Sequence, residues 1–273
     1  MVKIYYYMNR LSNEQKNIIK SLHSEGLSLR NIQQKTDIPL STLQYNLNKN
    51  SGRKRIKQLI LPKSEFILGE IIGAFCGDGS YFHSKSKRSG KYLVRYFLSY
   101  RDDMEYANYL HSVFKKMNLN PFFIIRKNKG IQNVIEVRIS SIKLIELIKS
   151  YVLWEEDKTY SVRLIRSIKS YSKDFLFGFA RGMMDTDGFV ETYNVACGVI
   201  SKRLIENLSD IFSIVNLNSK ITIRIRPCRR DLYLLRVPKK SLEIYYKNIG
   251  FSNLRKEKKL LGIIGNKSGS ARI

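Results

Sequence analysis

Two aspartates, Asp78 and Asp187, stand in matched settings. Each precedes a glycine near the end of a sixteen-residue segment, FILGEIIGAFCGDGSY (66–81) and FLFGFARGMMDTDGFV (175–190). The segments align without a gap at an offset of 109 residues, matching Phe66/Phe175, Gly69/Gly178, Gly73/Gly182, Asp78/Asp187 and Gly79/Gly188. Both read as helices with glycines four residues apart. Glycine costs a helix roughly 1 kcal/mol relative to alanine, so two per helix need a reason. Close backbone approach supplies it, making Gly69, Gly73, Gly178 and Gly182 the predicted helix interface. Parallel packing would then bring Asp78 and Asp187 together at the helix C-termini. Anions are poorly placed there, because a helix C-terminus already carries about half a negative charge. Two carboxylates about 5 Å apart at an effective dielectric of about 20 also repel by roughly 3 kcal/mol. A divalent cation relieves both penalties, and Mg²⁺ prefers a few carboxylates together with phosphate oxygens. The chemistry implied is metal-dependent phosphodiester hydrolysis. A pair of plain Asp-Gly turns is the bland alternative; it leaves the two copies in register unexplained.

The elements around these motifs repeat as well. After the first come predicted strands over 91–100, a helix over 102–117, strands over 122–129 and 134–140, and a helix over 142–151. After the second come strands over 189–193 and 195–200, a helix over 202–215, strands over 220–226 and 232–237, and a helix over 241–249. MNLN (117–120) matches VNLN (215–218) at an offset of 98, so the second copy is 11 residues shorter there. The missing residues fall at the basic loop HSKSKRSG (83–90). The fold class read from this is α+β, two pseudo-symmetric αββαββα halves over 64–163 and 164–273, the last residues forming a flexible tail.

The first 50 residues differ. Leu11, Ile18, Ile19 and Leu22 recur at helical spacing, Gly26 breaks the helix, Ser28 can cap the next, and Pro39 suits the first turn of a third. This small all-α segment resembles the DNA-binding helix-turn-helix of many regulators and recombinases. In that arrangement the third helix enters the major groove, nominating Ser41, Thr42, Gln44 and Tyr45 for base edges. A basic linker follows over 51–63, with Arg53, Lys54 and Arg55 placed to track phosphates.

Charge supports a polyanionic partner. The 273-residue chain has 49 Lys and Arg against 23 Asp and Glu, a net +26, which destabilises a compact fold unless something neutralises it. Contacts to phosphates release counterions and dominate such binding. An architectural binder without chemistry would carry the same charge. Hydrophobic residues, at 43 %, are enough for a real core and exclude general disorder. No apolar run reaches the roughly 18 residues of a membrane span, and nothing over 1–10 resembles a signal peptide. Cys76, Cys197 and Cys228 form no CxxC pair, against a disulfide scaffold or zinc finger and for a reducing intracellular location. His23, His83 and His111 show no ligand spacing, and Trp154 reads as core packing.

The motifs IIGAFCGDG (71–79) and ARGMMDTDG (180–188) resemble the two signatures of LAGLIDADG homing endonucleases in their single-chain, two-motif form. The resemblance spans residues 64 to about 265. It implies a site-specific DNA endonuclease that makes a metal-dependent double-strand break at a long, not strictly palindromic target, with Mg²⁺, or Mn²⁺ in its place, as cofactor. Asp78 and Asp187 map onto the metal-binding acids, and the Gly77 and Thr186 carbonyls and the Cys76 backbone onto further contacts to the metal. Cys76 also takes an earlier acidic position, which Asp185 keeps in the second motif. A lysine after the second hairpin of each half maps onto Lys158 and, aligning WEEDKTYSVR with LRKEKKLLGI at an offset of 100, onto Lys258, with Lys256 and Lys259 competing. The strands would form a saddle in the major groove of double-stranded DNA. Lys220, Thr222, Arg224 and Arg226 alternate with Ile221, Ile223 and Ile225, giving a basic face towards DNA and an apolar face over the helices. Arg236 in the same half and Arg126, Lys127 and Arg138 in the first are further DNA contacts, with Glu136 among them. A monomer with internal twofold pseudo-symmetry is expected. Two rival readings stay open. One is a regulator resembling sporulation regulators that join such a scaffold to a helix-turn-helix; the other is an RNA splicing maturase. Intein splicing termini are not evident, so a free-standing chain is expected.

Overall fold

The computed structural model describes residues 11–48, 58–85, 90–128 and 131–265. Arg53, Lys54 and Arg55, most of the basic 85–91 loop and the tail from 266 lie outside them. The chain divides into two compact units, 1–57 and 58–273.

The described residues of the first unit form α1 (Asn13–Ser24), α2 (Leu29–Thr36) and α3 (Leu40–Asn48). Ser12 and Gln15 make a reciprocal capping box at α1, and the Ser28 hydroxyl caps α2. Asp37 takes a left-handed conformation (φ 52°) that turns the chain into α3. Ile19, Ile32, Ile38 and Leu43 form the core. On α3, Ser41, Gln44 and Tyr45 are exposed and Thr42 is half-buried.

The second unit is a duplication. Its first copy comprises α4 (Glu65–Cys76), β1 (Gly79–Lys85), β2 (Gly90–Ser99), α5 (Met104–Lys116), β3 (Pro121–Asn128), β4 (Ile131–Ser140) and α6 (Ile142–Tyr151). A two-stranded ribbon, β5 (Val152–Leu153) with β6 (Arg163–Leu164), encloses the short helix α7 (Lys158–Ser161). The second copy comprises α8 (Lys173–Thr186), β7 (Gly188–Val190), β8 (Asn194–Val199), α9 (Lys202–Ile214), β9 (Lys220–Arg224), β10 (Leu232–Pro238), α10 (Leu242–Asn248) and α11 (Leu254–Gly265). Two antiparallel sheets result, ordered β1-β2-β4-β3 and β7-β8-β10-β9, the same topology twice. The MNLN/VNLN repeat has a physical cause. Asn118 (φ 60°) and Asn216 (φ 54°) end α5 and α9 in the left-handed region that asparagine tolerates.

Helices α4 and α8 cross through the predicted glycines. A Cβ added at Gly69 or Gly73 would lie 2.0 Å from the carbonyl oxygen of Phe175 or Phe179. At Gly178 and Gly182 it would lie 1.8 and 2.0 Å from those of Phe66 and Glu70. These pairs advance in the same direction along both helices, so α4 and α8 run parallel, each backbone resting on the other.

Two sequence expectations fail at the second hairpin. Strand β9 ends at Arg224 rather than Arg226, and Ile223 and Ile225 do not cover the helices: they are 58 % and 80 % exposed. Only the first part of β9 overlies the helical layer, where Ile221 packs against the core. The rest projects beyond it. The segments over 154–161 and 254–265, not assigned to helices from sequence, contain α7 and α11.

Candidate active site

Because α4 and α8 are parallel, both end at one cleft. Asp78 and Asp187 line it together with Lys158, Thr159, Phe97 and Arg226, around a volume of about 370 Å³. Asp187 follows the last turn of α8, and its Oδ2 lies 3.1 Å from where a Cβ on Gly77 would stand. The second half thus places its carboxylate over the backbone next to Asp78. Both aspartates are half-buried. Burial and then the charge of Asp187 push the Asp78 carboxyl up to about 7, against the pull of Lys256 and Lys158. Burial raises Asp187 to about 6, again opposed by Lys158 and Lys256. Among the described residues, neither side chain has a hydrogen-bond donor.

Each helix C-terminus is capped by a lysine. The Lys158 Nζ, at the start of α7, donates to the carbonyls of Phe75, Cys76 and Gly77, all at 2.8 Å. The Lys256 Nζ, on α11, donates to those of Met184, Asp185 and Thr186 at 3.1, 2.6 and 3.1 Å. The acceptors correspond one to one at the motif offset of 109. Burial lowers the pKa of both ammonium groups. Asp187 and Asp78 are among the charges that hold Lys158 up, as Asp185 is for Lys256. Lys258, expected from the offset of 100, is exposed. Lys256 takes the place symmetric to Lys158, because the helix offset of 98 runs on to the end of the fold. That offset was already visible in MNLN/VNLN. The Gly77 and Thr186 carbonyls, expected to reach a metal, already accept lysine hydrogen bonds; so does the Cys76 carbonyl.

The Cys76/Asp185 difference has a local explanation. Cys76 is buried and apolar in its surroundings. Asp185 is also buried, but its carboxylate accepts backbone N–H bonds from Ser252 (3.1 and 3.2 Å) and Asn253 (2.9 Å) at the start of α11. Asp185 therefore positions the helix that carries Lys256. In the first half this role falls to Asp157, whose carboxylate caps α7 at Thr159 N (2.9 Å). Glu70, a second buried acid that sequence reasoning passed over, accepts from Tyr109 Oη at 2.7 Å, and burial raises its pKa.

The sheets carry the expected basic residues, unequally. On the first sheet Arg126 and Arg138 both pair with Glu136, the latter at 2.6 Å, and Glu136 is fully buried between them. Glu136 is therefore a clamp for two arginines rather than a free contact. Lys127 is exposed beside a bulge in β3. On the second sheet Lys220 and Arg224 are exposed, and Arg236 donates to Thr222 Oγ1 at 3.0 Å. Arg226 turns inward to the cleft. Trp154 packs between Phe75 and Tyr81, in the core as expected.

Residues 174–250 match the family described as a LAGLIDADG-like domain. This stretch is thus similar to a LAGLIDADG-like domain. The duplicated fold gives this chain two motif helices, the first of them outside the matched span. It is 26 % identical over 265 residues to the uncharacterized protein MJ0398 of Methanocaldococcus jannaschii, covering 89 % of this chain and 90 % of that one. Among solved structures it resembles the homing endonuclease I-DmoI in complex with DNA and Mn, with TM-score 0.51, 18 % identity, and coverage of 68 % of this chain and 96 % of that one. It also resembles full-length DUF199/WhiA from Thermatoga maritima, with TM-score 0.51, 14 % identity, and coverage of 80 % and 65 %. Both likenesses concern the fold alone. No helix among the described residues is long and apolar enough to cross a membrane.

Proposed function

We propose that this chain is a site-specific, divalent-metal-dependent DNA endonuclease that cuts both strands. The observation that carries the reading is the meeting of Asp78 and Asp187, one from each half, in a single cleft where, among the described residues, neither carboxylate has a hydrogen-bond donor. Two half-buried carboxylates left facing each other fit a hard cation, and both pKa values are raised by burial. Asp78 and Asp187 would hold Mg²⁺ or Mn²⁺, with water and phosphate oxygens completing its shell. When bound, the metal supplies activation of water and charge stabilisation at the departing oxygen. Lys158 and Lys256 hold the two helix ends in place and keep positive charge beside the carboxylates. The basic sheets supply the phosphate contacts that set affinity and register. The I-DmoI likeness, in a protein solved with DNA and Mn, supports the same assignment, and the exposed Ser41, Gln44 and Tyr45 of α3 extend the footprint on DNA.

A second reading has one observation in its favour. Lys158 and Lys256 already offset the negative helix ends with six hydrogen bonds, as a DNA binder without cleavage would need; the WhiA likeness fits it. A randomised DNA library incubated with the protein in Mg²⁺ or Mn²⁺ separates the two. The endonuclease gives discrete double-strand breaks that Asp78→Asn abolishes while bound DNA is still recovered. Recovery of bound DNA with no breaks from the wild-type protein would establish the regulator instead.

A further inference from the structure

The two hairpins at the far side of the sheets differ in a way that touches the cleft. In the first half β3 and β4 stay paired past Arg126↔Val134, through a bulge, to Asn128↔Ile131. In the second half pairing stops at the equivalent Arg224↔Leu232, which leaves residues 225–231 as a loop. Every residue from Ile223 to Asp231 is exposed except Arg226, which is half-buried and lines the cleft with Asp78, Asp187 and Lys158. Its guanidinium is held from behind: Nε and Nη2 donate to the Arg230 carbonyl at 3.0 and 2.6 Å. The left-handed backbone of Cys228 (φ 58°) makes the reversal that allows this. The loop is braced on the other half as well, since the Arg230 guanidinium lies 3.8 Å from the ring centre of Tyr160, on the same short helix as Lys158. At the position symmetric to Arg226 the first half has Asn128.

We propose that Arg226 is a phosphate-contacting residue supplied to the cleft by the second half alone, so that the two DNA strands are cut unequally. The inference rests on the endonuclease reading. At one scissile phosphate, water gives a proton to solvent as its oxygen bonds to phosphorus, the phosphorus–oxygen bond to the sugar breaks, and the departing oxygen takes a proton from solvent. Arg226 donates to the non-bridging oxygens there, as fixed guanidinium donors stabilise charge that develops at a reacting centre. Among the described residues the first half supplies no arginine to the cleft for the other phosphate.

The test is strand-resolved cleavage of a wild-type target in Mg²⁺, with each strand labelled separately, for wild type, Arg226→Ala and Arg226→Lys. The expected result is that Arg226→Ala slows one strand by about 100-fold, leaves the other within about 2-fold, and accumulates nicked duplex. Arg226→Lys restores part of the slowed rate. Equal slowing of both strands, or of neither, overturns the inference while leaving the endonuclease intact. A wild-type protein that binds DNA and cuts none overturns both.

Discussion

The two sheets share topology and register but present different chemistry. At the centre of the first, Glu136 lies buried between Arg126 and Arg138, and the guanidinium groups of Arg95 and Arg126 sit 5.3 and 5.9 Å from the Phe97 ring centre. At the symmetric positions of the second sheet, Leu234 replaces Glu136 and Gly198 replaces Phe97. Arg236 there has Thr222 and, at 3.8 Å, the half-exposed Glu191 as partners. The first sheet compensates its cations with a fully buried carboxylate and fixes their geometry, while the second leaves Lys220 and Arg224 exposed. Duplication has therefore kept the helices and strands that deliver the aspartates and let the outward faces diverge. Free cations govern salt-dependent affinity, and rigid arginines suit directional readout.

Several substitutions break or sharpen this contrast. The largest effect belongs to what the halves share. Gly73→Ala or Gly182→Ala drives a methyl into a facing backbone carbonyl that no rotamer change can relieve, and each should destabilise by about 3 kcal/mol or more. Urea denaturation measures this, and equal losses in both halves would mark the interface as symmetric. Next, Glu136→Leu gives the first sheet the residue of the second. It should cost about 1–3 kcal/mol of stability through the arginines it frees. It should also steepen the dependence of DNA affinity on salt by about 1–2 in log–log slope. A smaller change follows removal of an exposed cation: Arg224→Ala or Lys220→Ala should reduce that slope by about 1. Arg138→Ala, whose charge is already compensated, should change it less.

A pH dependence follows from the site that the halves share. The folded pKa of Asp78 is raised from 3.8 to about 7. Its protonated form is therefore favoured in the fold, and the associated stability is fully present below the unfolded value. That stability is lost as pH rises through about 7. Metal-free protein should become less stable between pH 4 and 7, and Asp78→Asn should flatten that decline. Chemical denaturation across the window measures both.

Much of this was legible in the sequence because duplication prints each constraint twice. The glycine pairs, the Asp-Gly ends and the MNLN/VNLN turns each reflect one backbone requirement met at two places. What depended on the relation between strands was not legible. Alternation along β9 identified a basic and an apolar face but not where the helical layer ends, so Ile223 and Ile225 were misplaced. Lys258 was favoured over Lys256 because similarity within a lysine-rich run outweighed the helix offset. The pairing of Glu136 with two arginines, and the inward turn of Arg226, depend on where hairpins stop pairing. No local pattern encodes that.

The central claim is that one cation site is shared between the halves, and Mn²⁺ binding followed by electron paramagnetic resonance tests it directly on wild type, Asp78→Asn and Asp187→Asn. The account predicts that either substitution alone weakens binding of the same ions by at least about 10-fold. Wild-type affinity in either variant, or loss of half the bound ions with the remainder unaffected, would contradict it.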